Sequence, residues 1–129
     1  MTVVLDTHVL HWMSSDPQRV SETAKRAIRD ADELAVSDIT WFELAWLAQR
    51  GRISVSRPLE RWLTDLSQHV RSIPLTPRIA AAAASLAASF PADPADRVIY
   101  ATALEHGWAL VTGDERLRLL GANHVITIW

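Results

Sequence analysis

Four acids are spaced so that chemistry is their simplest joint explanation. Asp6 closes the run Thr-Val-Val-Leu, and Asp114 follows Ala109-Leu110-Val111-Thr112 by a single Gly. Continuous apolar, β-branched runs read as buried strands of a parallel sheet, which puts both acids at carboxyl ends, where open α/β sheets bind ligands. A buried strand-end acid such as Asp6 needs a partner. Asp114, in Thr-Gly-Asp-Glu, reads equally as a turn or cap aspartate. Glu43 lies on one helical stripe with Ile39, Phe42, Trp46, Leu47 and Arg50, so it is an acid inside an apolar face. It is either a working carboxylate or half of an ion pair with Arg50 or Arg97. In Asp93-Pro94-Ala95-Asp96-Arg97 the first Asp has the place of a helix N-cap. Asp96 shares a stripe with Ile99, Tyr100 and Ala103 and points partly inward, although a favourable helix-dipole position also accounts for it.

If Asp6, Glu43, Asp96 and Asp114 converge, each pair of charges at about 4 Å costs roughly 4 kcal/mol at an effective dielectric near 20. A cation must then hold them. With oxygen ligands and no Cys in the chain, the expected ion is hard and octahedral, Mg²⁺ or Mn²⁺, which also binds phosphate oxygens. That outlines a phosphodiester hydrolase. Covalent hydrolase and P-loop NTPase chemistry find no support, because Gly-x-Ser-x-Gly and Walker-type loops are absent and the histidines are scattered. Arg97, next to Asp96, is the arginine best placed to touch a substrate phosphate or steady a carboxylate.

Strands are predicted at 2–6, 34–37, 72–75, 108–112 and 124–128. Between them fall a short helical turn around Val9 to Met13, a helix capped by Ser21 to about Ala31, and one capped by Ser37 or Asp38 that runs to Arg50 and stops at Gly51. Pro58 opens another helix, Thr76-Pro77 an alanine-rich one to about Ser89, Asp93-Pro94 one that closes at Gly107, and Asp114 a short one to Leu120. This alternation predicts an α/β domain whose central, mainly parallel sheet of about five strands is covered on both faces. The helix bearing Glu43 is also apolar through Trp41, Leu44, Ala45 and Ala48, more than one sheet face can cover, which points to a dimer interface.

At 129 residues one domain spanning 1–129 is expected. No apolar run approaches the roughly 18 residues a membrane helix needs, and no signal sequence or cysteine is present, so the cytoplasm is the expected compartment. The formal charge of −2 is too balanced to announce a polyanion partner, so any nucleic-acid surface must be local. Lys25 is the only lysine among thirteen basic residues.

Leu5-Asp6-Thr7-His8 with Leu10 and Trp12, the segment Ser37 to Leu44 with Thr40, Trp41 and Glu43, Asp93-Pro94-Ala95-Asp96-Arg97, and Val111-Thr112-Gly113-Asp114 together resemble the PIN-domain family, specifically VapC-type toxins of toxin-antitoxin modules. The resemblance implies a three-layer α/β/α fold. It also implies that Asp6, Glu43, Asp96 and Asp114 are the catalytic acids binding Mg²⁺ or Mn²⁺, with Thr112 assisting and Asp93 accessory. RNA as substrate, a homodimer and a cognate antitoxin that blocks the site follow from the same resemblance. Two positions depart from the family pattern. His8 stands where Asn or Ser is common and could bridge a water or phosphate; Asp38 replaces a small or hydroxyl residue and is accounted for by helix capping. Two alternatives differ in class. A phospho-receiver-like signalling domain needs a late strand-end lysine that the chain lacks, and a non-cleaving PIN-like module that binds RNA or protein would not need the intact acids.

Overall fold

The computed structural model describes residues 1–121 and 124–129. Five strands form one parallel sheet: β1 (Thr2–Leu5), β2 (Glu33–Ser37), β3 (Arg71–Ile73), β4 (Ala109–Val111) and β5 (Thr127–Ile128), in the spatial order β3-β2-β1-β4-β5. The chain starts at the centre, builds outward through β2 and β3, then returns to the other side of β1. The strand order therefore reverses between β1 and β4, and at such a point the loops leaving the two carboxyl ends diverge and open a crevice.

Alternation along β1 assigns the two cores. Val3 and Leu5, with Val36 and Val111, face one side, where they meet Val9 and Leu10 of α1 (Thr7–Ser15), Ala24 of α2 (Glu22–Asp30), Leu44 of α3 (Ile39–Gln49), and Trp62 and Leu66 of α4 (Leu59–Ser67). Val4, with Ala35, Ile73 and Leu110, faces the other side and packs on Ile99, Tyr100 and Ala103 of α6 (Pro94–His106) and Leu117 of α7 (Glu115–Gly121). Helix α5 (Pro77–Ala84) lies on α6 through Ile79, Ala83 and Ala101. The result is the expected three-layer α/β/α arrangement.

Capping follows the sequence closely at three helices. Ser21 accepts a hydrogen bond from the Ala24 N–H (3.0 Å), Thr76 from Ile79 (3.2 Å), and Asp93 from Ala95 (2.8 Å) and Asp96 (3.2 Å). Gly107 closes α6 at φ 69° and Gly51 follows α3 at the same angle, the left-handed region that glycine enters without strain.

Four expectations are corrected. The final strand is limited to Thr127–Ile128 rather than 124–128, since only these residues pair with Leu110 and Val111. At α3 the Asp38 side chain makes no cap; Ser37 Oγ accepts from the Ile39 N–H instead (3.3 Å). The alanine-rich helix stops at Ala84, not Ser89. Arg97 ends it: its guanidinium donates to the carbonyls of Ala83, Leu86, Ala87, Phe90 and Pro91 at 3.0–3.3 Å, holding the segment in an irregular turn that alanine propensity alone would not choose. Finally, the Trp41, Leu44, Ala45 and Ala48 side of α3 faces its own chain, with Leu44 fully buried and Trp41 and Ala48 packed on the core. The surplus apolar surface lies on the other stripe, where Phe42 (62% exposed) and Trp46 (50%) meet each other at 5.7 Å.

Candidate active site

A cleft of about 350 Å³ opens at the carboxyl ends of β1 and β4 and is lined by Asp6, His8, Trp12, Glu43, Asp93, Asp96, Gly113, Asp114 and Arg116. The four acids singled out in the sequence thus meet in one place, each from a different element.

On the strand side, Asp6 follows β1 and is held at three points. Its N–H donates to the Val111 carbonyl (3.0 Å), its Oδ1 accepts from the Thr7 N–H (2.8 Å), and its Oδ2 accepts from Thr112 Oγ1 (2.7 Å). Thr112 is itself buried, and its hydroxyl oxygen accepts from the Asp114 N–H (3.0 Å), tying the loop after β4 to the acid after β1. Glycine at 113 is required by close approach: a Cβ there would come within 2.9 Å of the Trp129 indole. Asp114 then turns outward to Arg116, receiving its backbone N–H (2.9 Å), Nε (3.3 Å) and Nη2 (3.0 Å).

The helix side is less well supplied. Glu43, on α3, accepts a hydrogen bond from the Thr7 hydroxyl, which also lies 3.0 Å from Thr40 Oγ1. Asp96, in the first turn of α6, has one cationic neighbour among the described residues, Arg116 Nη2 at 3.6 Å. Its side chain is only 16% exposed.

These surroundings set the protonation of each acid. Burial pushes Asp96 up to about 7, and the charges of Asp93, Asp6, Asp114 and Glu43 add to the rise. Glu43 is also raised, by burial first and then by Asp6 and Asp93, against the lowering effect of the Thr7 bond. Asp6 is raised by burial despite the Thr112 bond that favours its charged form. Asp114 alone is lowered: partial burial acts upward on it, and the hydrogen bonds and charge of Arg116 more than offset that. The guanidinium lies closer to Asp114 than to Asp96, so it neutralises the first and leaves the second among like charges.

Four carboxylate donors, three of them with raised proton affinity, suit a hard divalent cation. Among the described residues no three acidic or histidine side chains already stand in ligating contact around one point, as expected where like charges spread apart. One Arg116 nitrogen, between Asp96 and Asp114, shows that this gap accepts positive charge.

Other expected residues fall as follows. Asp93 lines the cleft and caps α6. His8 lines it and stands edge-on to Trp12, ring centres 5.6 Å apart. Arg97 does not reach the cleft's acids; its five donors are spent on backbone carbonyls. The arginine that reaches them is Arg116, whose signal in the sequence was its place two residues after Asp114, at the start of a helix. Neither Arg50 nor Arg97 pairs with Glu43; Arg50 stacks over Trp46 at 4.2 Å. Lys25 pairs with Glu22 on α2, away from the strand ends where a receiver domain requires its lysine.

The PIN domain family model matches residues 3–123. The chain belongs to the PIN-domain family. Among relatives of this PIN-domain protein, Ribonuclease VapC22 of Mycobacterium tuberculosis is 56% identical over 128 residues, covering 99% of this chain and 98% of that one. A toxin-antitoxin complex from Klebsiella pneumoniae contains a chain 25% identical, with a TM-score of 0.65 and 89% of each chain covered. The VapBC-1 structure from nontypeable Haemophilus influenzae shares the fold, with a TM-score of 0.73 at 19% identity over 98% of this chain and 96% of that one. Among the described residues no helix is long and apolar enough to cross a membrane.

Proposed function

We propose that this PIN-domain protein is a Mg²⁺- or Mn²⁺-dependent endoribonuclease and the toxin of a toxin-antitoxin pair, with residues 1–129 acting as one nuclease domain in the cytoplasm. The observation that carries the reading is the meeting of Asp6, Glu43, Asp96 and Asp114 in one cleft at the reversal point of the sheet, with Asp96 raised to about 7. The 56% identity to a protein named a ribonuclease supports RNA as the substrate.

The bound ion would supply an activated water and neutralise charge on the scissile phosphate. The four acids would hold it. Thr112 fixes the Asp6 carboxylate by its hydroxyl, and Thr7 does the same for Glu43, so their oxygens are oriented before the ion arrives. With its carboxyl pushed up to about 7, Asp96 is partly protonated near neutrality and would give up that proton to positive charge in the cleft. Asp93 and His8 are accessory, lining the same space. With water rather than the 2′-hydroxyl attacking phosphorus and the 3′-oxygen leaving, the products would carry 5′-phosphate and 3′-hydroxyl ends.

Incubation with a mixed RNA pool tests the reading. Cleavage abolished by EDTA and restored by Mg²⁺ or Mn²⁺ is expected. Undiminished cleavage in EDTA, or 2′,3′-cyclic phosphate ends, would overturn it. A cognate antitoxin would place a basic side chain among the carboxylates, as Arg116 already does between two of them. Exposed Phe42 and Trp46 supply the face of a homodimer, and Phe42→Glu is expected to convert dimer to monomer in sedimentation equilibrium.

A further inference from the structure

Beside the acidic cleft lies a second one of opposite character, about 400 Å³ in volume, whose polar lining is His8, His11, Arg19, Arg52 and Ser54 around the Trp12 ring. It shares His8 and Trp12 with the acidic cleft, so the two adjoin along that wall. Its charged lining is two arginines, with two histidines and no carboxylate beside them. Arg19 and Arg52 make no ion pair among the described residues, whereas Arg57, Arg71, Arg78 and Arg116 all do. The Arg19 guanidinium lies over the Trp12 ring at 4.6 Å, so a base would stack on that face as the guanidinium swings off it to a phosphate. In a chain of net charge −2, Arg19 and Arg52 thus put positive charge beside the cleft whose carboxylates repel a polyanion.

We propose that this basic cleft binds the RNA strand where it leaves the acidic cleft, with Arg19 and Arg52 contacting the phosphate next to the scissile one and Trp12 stacking on the adjoining base. The proposal rests on the ribonuclease reading and deepens it. The acids repel the backbone everywhere except at a bound cation, so the strand must be held by contacts outside them. Fixed positive charge supplies binding without sequence preference, and an aromatic face accepts any base. His8 and Trp12 line both clefts, so a strand engaged in one has the other directly beside it. An acidic protein segment could use the arginines but has no need of the indole face, and the combination favours nucleic acid.

Binding of a random-sequence 30-nucleotide RNA pool, measured across salt concentrations in an Asp96→Asn background, tests it. Arg19→Gln with Arg52→Gln is expected to weaken binding by about tenfold or more and to flatten the slope of log K against log salt by about 0.7, the loss of one single-strand phosphate contact. Trp12→Leu is expected to weaken binding at least about fivefold with the slope unchanged, and Trp12→Phe to recover most of the loss. A merely structural effect would not separate slope from affinity in this way. If wild type cleaves the pool with Mn²⁺ but the arginine pair leaves affinity and slope intact, this inference fails and the ribonuclease reading stands. If wild type neither cleaves nor binds RNA, both fail. If the arginine pair spares RNA binding but abolishes binding of polyglutamate, the cleft serves a protein and the inference is overturned.

Discussion

The two walls of the acidic cleft are built on different principles. The strand wall satisfies itself: Asp6 has the Thr7 amide and the Thr112 hydroxyl, and Asp114 has three donors from Arg116. The helix wall does not, since Glu43 has one hydroxyl and Asp96 one guanidinium nitrogen at 3.6 Å. Parallel strands fix their terminal residues through the ladder, so acids placed there inherit rigid partners. Acids projecting from helices into the same space have the backbone bonds of the helix behind them and only one side-chain partner each for their carboxylates. The strand wall is therefore preorganised, while the helix wall stores repulsion that an incoming cation relieves.

The sharpest way to break this contrast is in activity, where both walls are needed. Asp6→Asn and Asp96→Asn are each expected to lower kcat by at least about 100-fold, the scale of losing a major electrostatic contribution at a reacting centre, measured on a cleavable RNA with saturating Mg²⁺. Stability should then separate them. Thr112→Val removes a buried hydroxyl that serves Asp6 and the Asp114 amide together, and urea melts in EDTA should show a loss of about 1–3 kcal/mol.

Asp96→Asn should act in the opposite direction. Its folded pKa of about 7 lies above an unfolded value near 4. The protonated group therefore contributes its full stability below pH 4, and that contribution is lost as pH rises through 7. Metal-free Asp96→Asn should gain about 1–2 kcal/mol over wild type at pH 8, allowing for relaxation and screening, and nothing at pH 4. A mutant less stable at pH 8 would mean that Asp96 is a structural acid. Asp114 has the reverse sign, because a lowered pKa gives stability that is present above its unfolded value and lost on acidification. The smallest effect belongs to Arg116→Gln. Removing the cation that bridges Asp96 and Asp114 should tighten Mn²⁺ binding about two- to fivefold at low salt, with the gain shrinking as salt screens an exposed charge. Isothermal titration of Mn²⁺ into both proteins reads it directly.

Legibility in the sequence divided along the same line. Strand-end positions of Asp6 and Asp114 could be read because β-branched runs and a following Gly mark where strands stop, and Glu43 and Asp96 because helical period shows which side of a helix an acid occupies. Caps at Ser21, Thr76 and Asp93 are local chemistry and were equally visible. What escaped was set by contacts distant in the chain. Arg97 beside Asp96 looks like a phosphate ligand until the irregular turn after α5 presents it with five carbonyls. On α3 the sequence shows two apolar stripes, and it takes the packing of α1 and α4 on the Leu44 face to leave the Phe42 and Trp46 stripe exposed. Period identifies two stripes but not which neighbour claims each. The basic cleft draws residues from α1, the turn after it and the loop after α3, and no local pattern joins them.

Gly113 is a matter of volume rather than of backbone angle, since the Trp129 indole occupies the space a Cβ would need. The same indole lies 6.1 Å from the Trp12 ring, so it touches both the loop that carries Asp114 and the shared edge of the two clefts. An aromatic chromophore wedged there is a built-in optical sensor. When Asp114 exchanges its arginine for another cation, the loop's adjustment should change the emission of Trp129, and subtracting the spectrum of a Trp129→Phe protein would isolate that signal without any label.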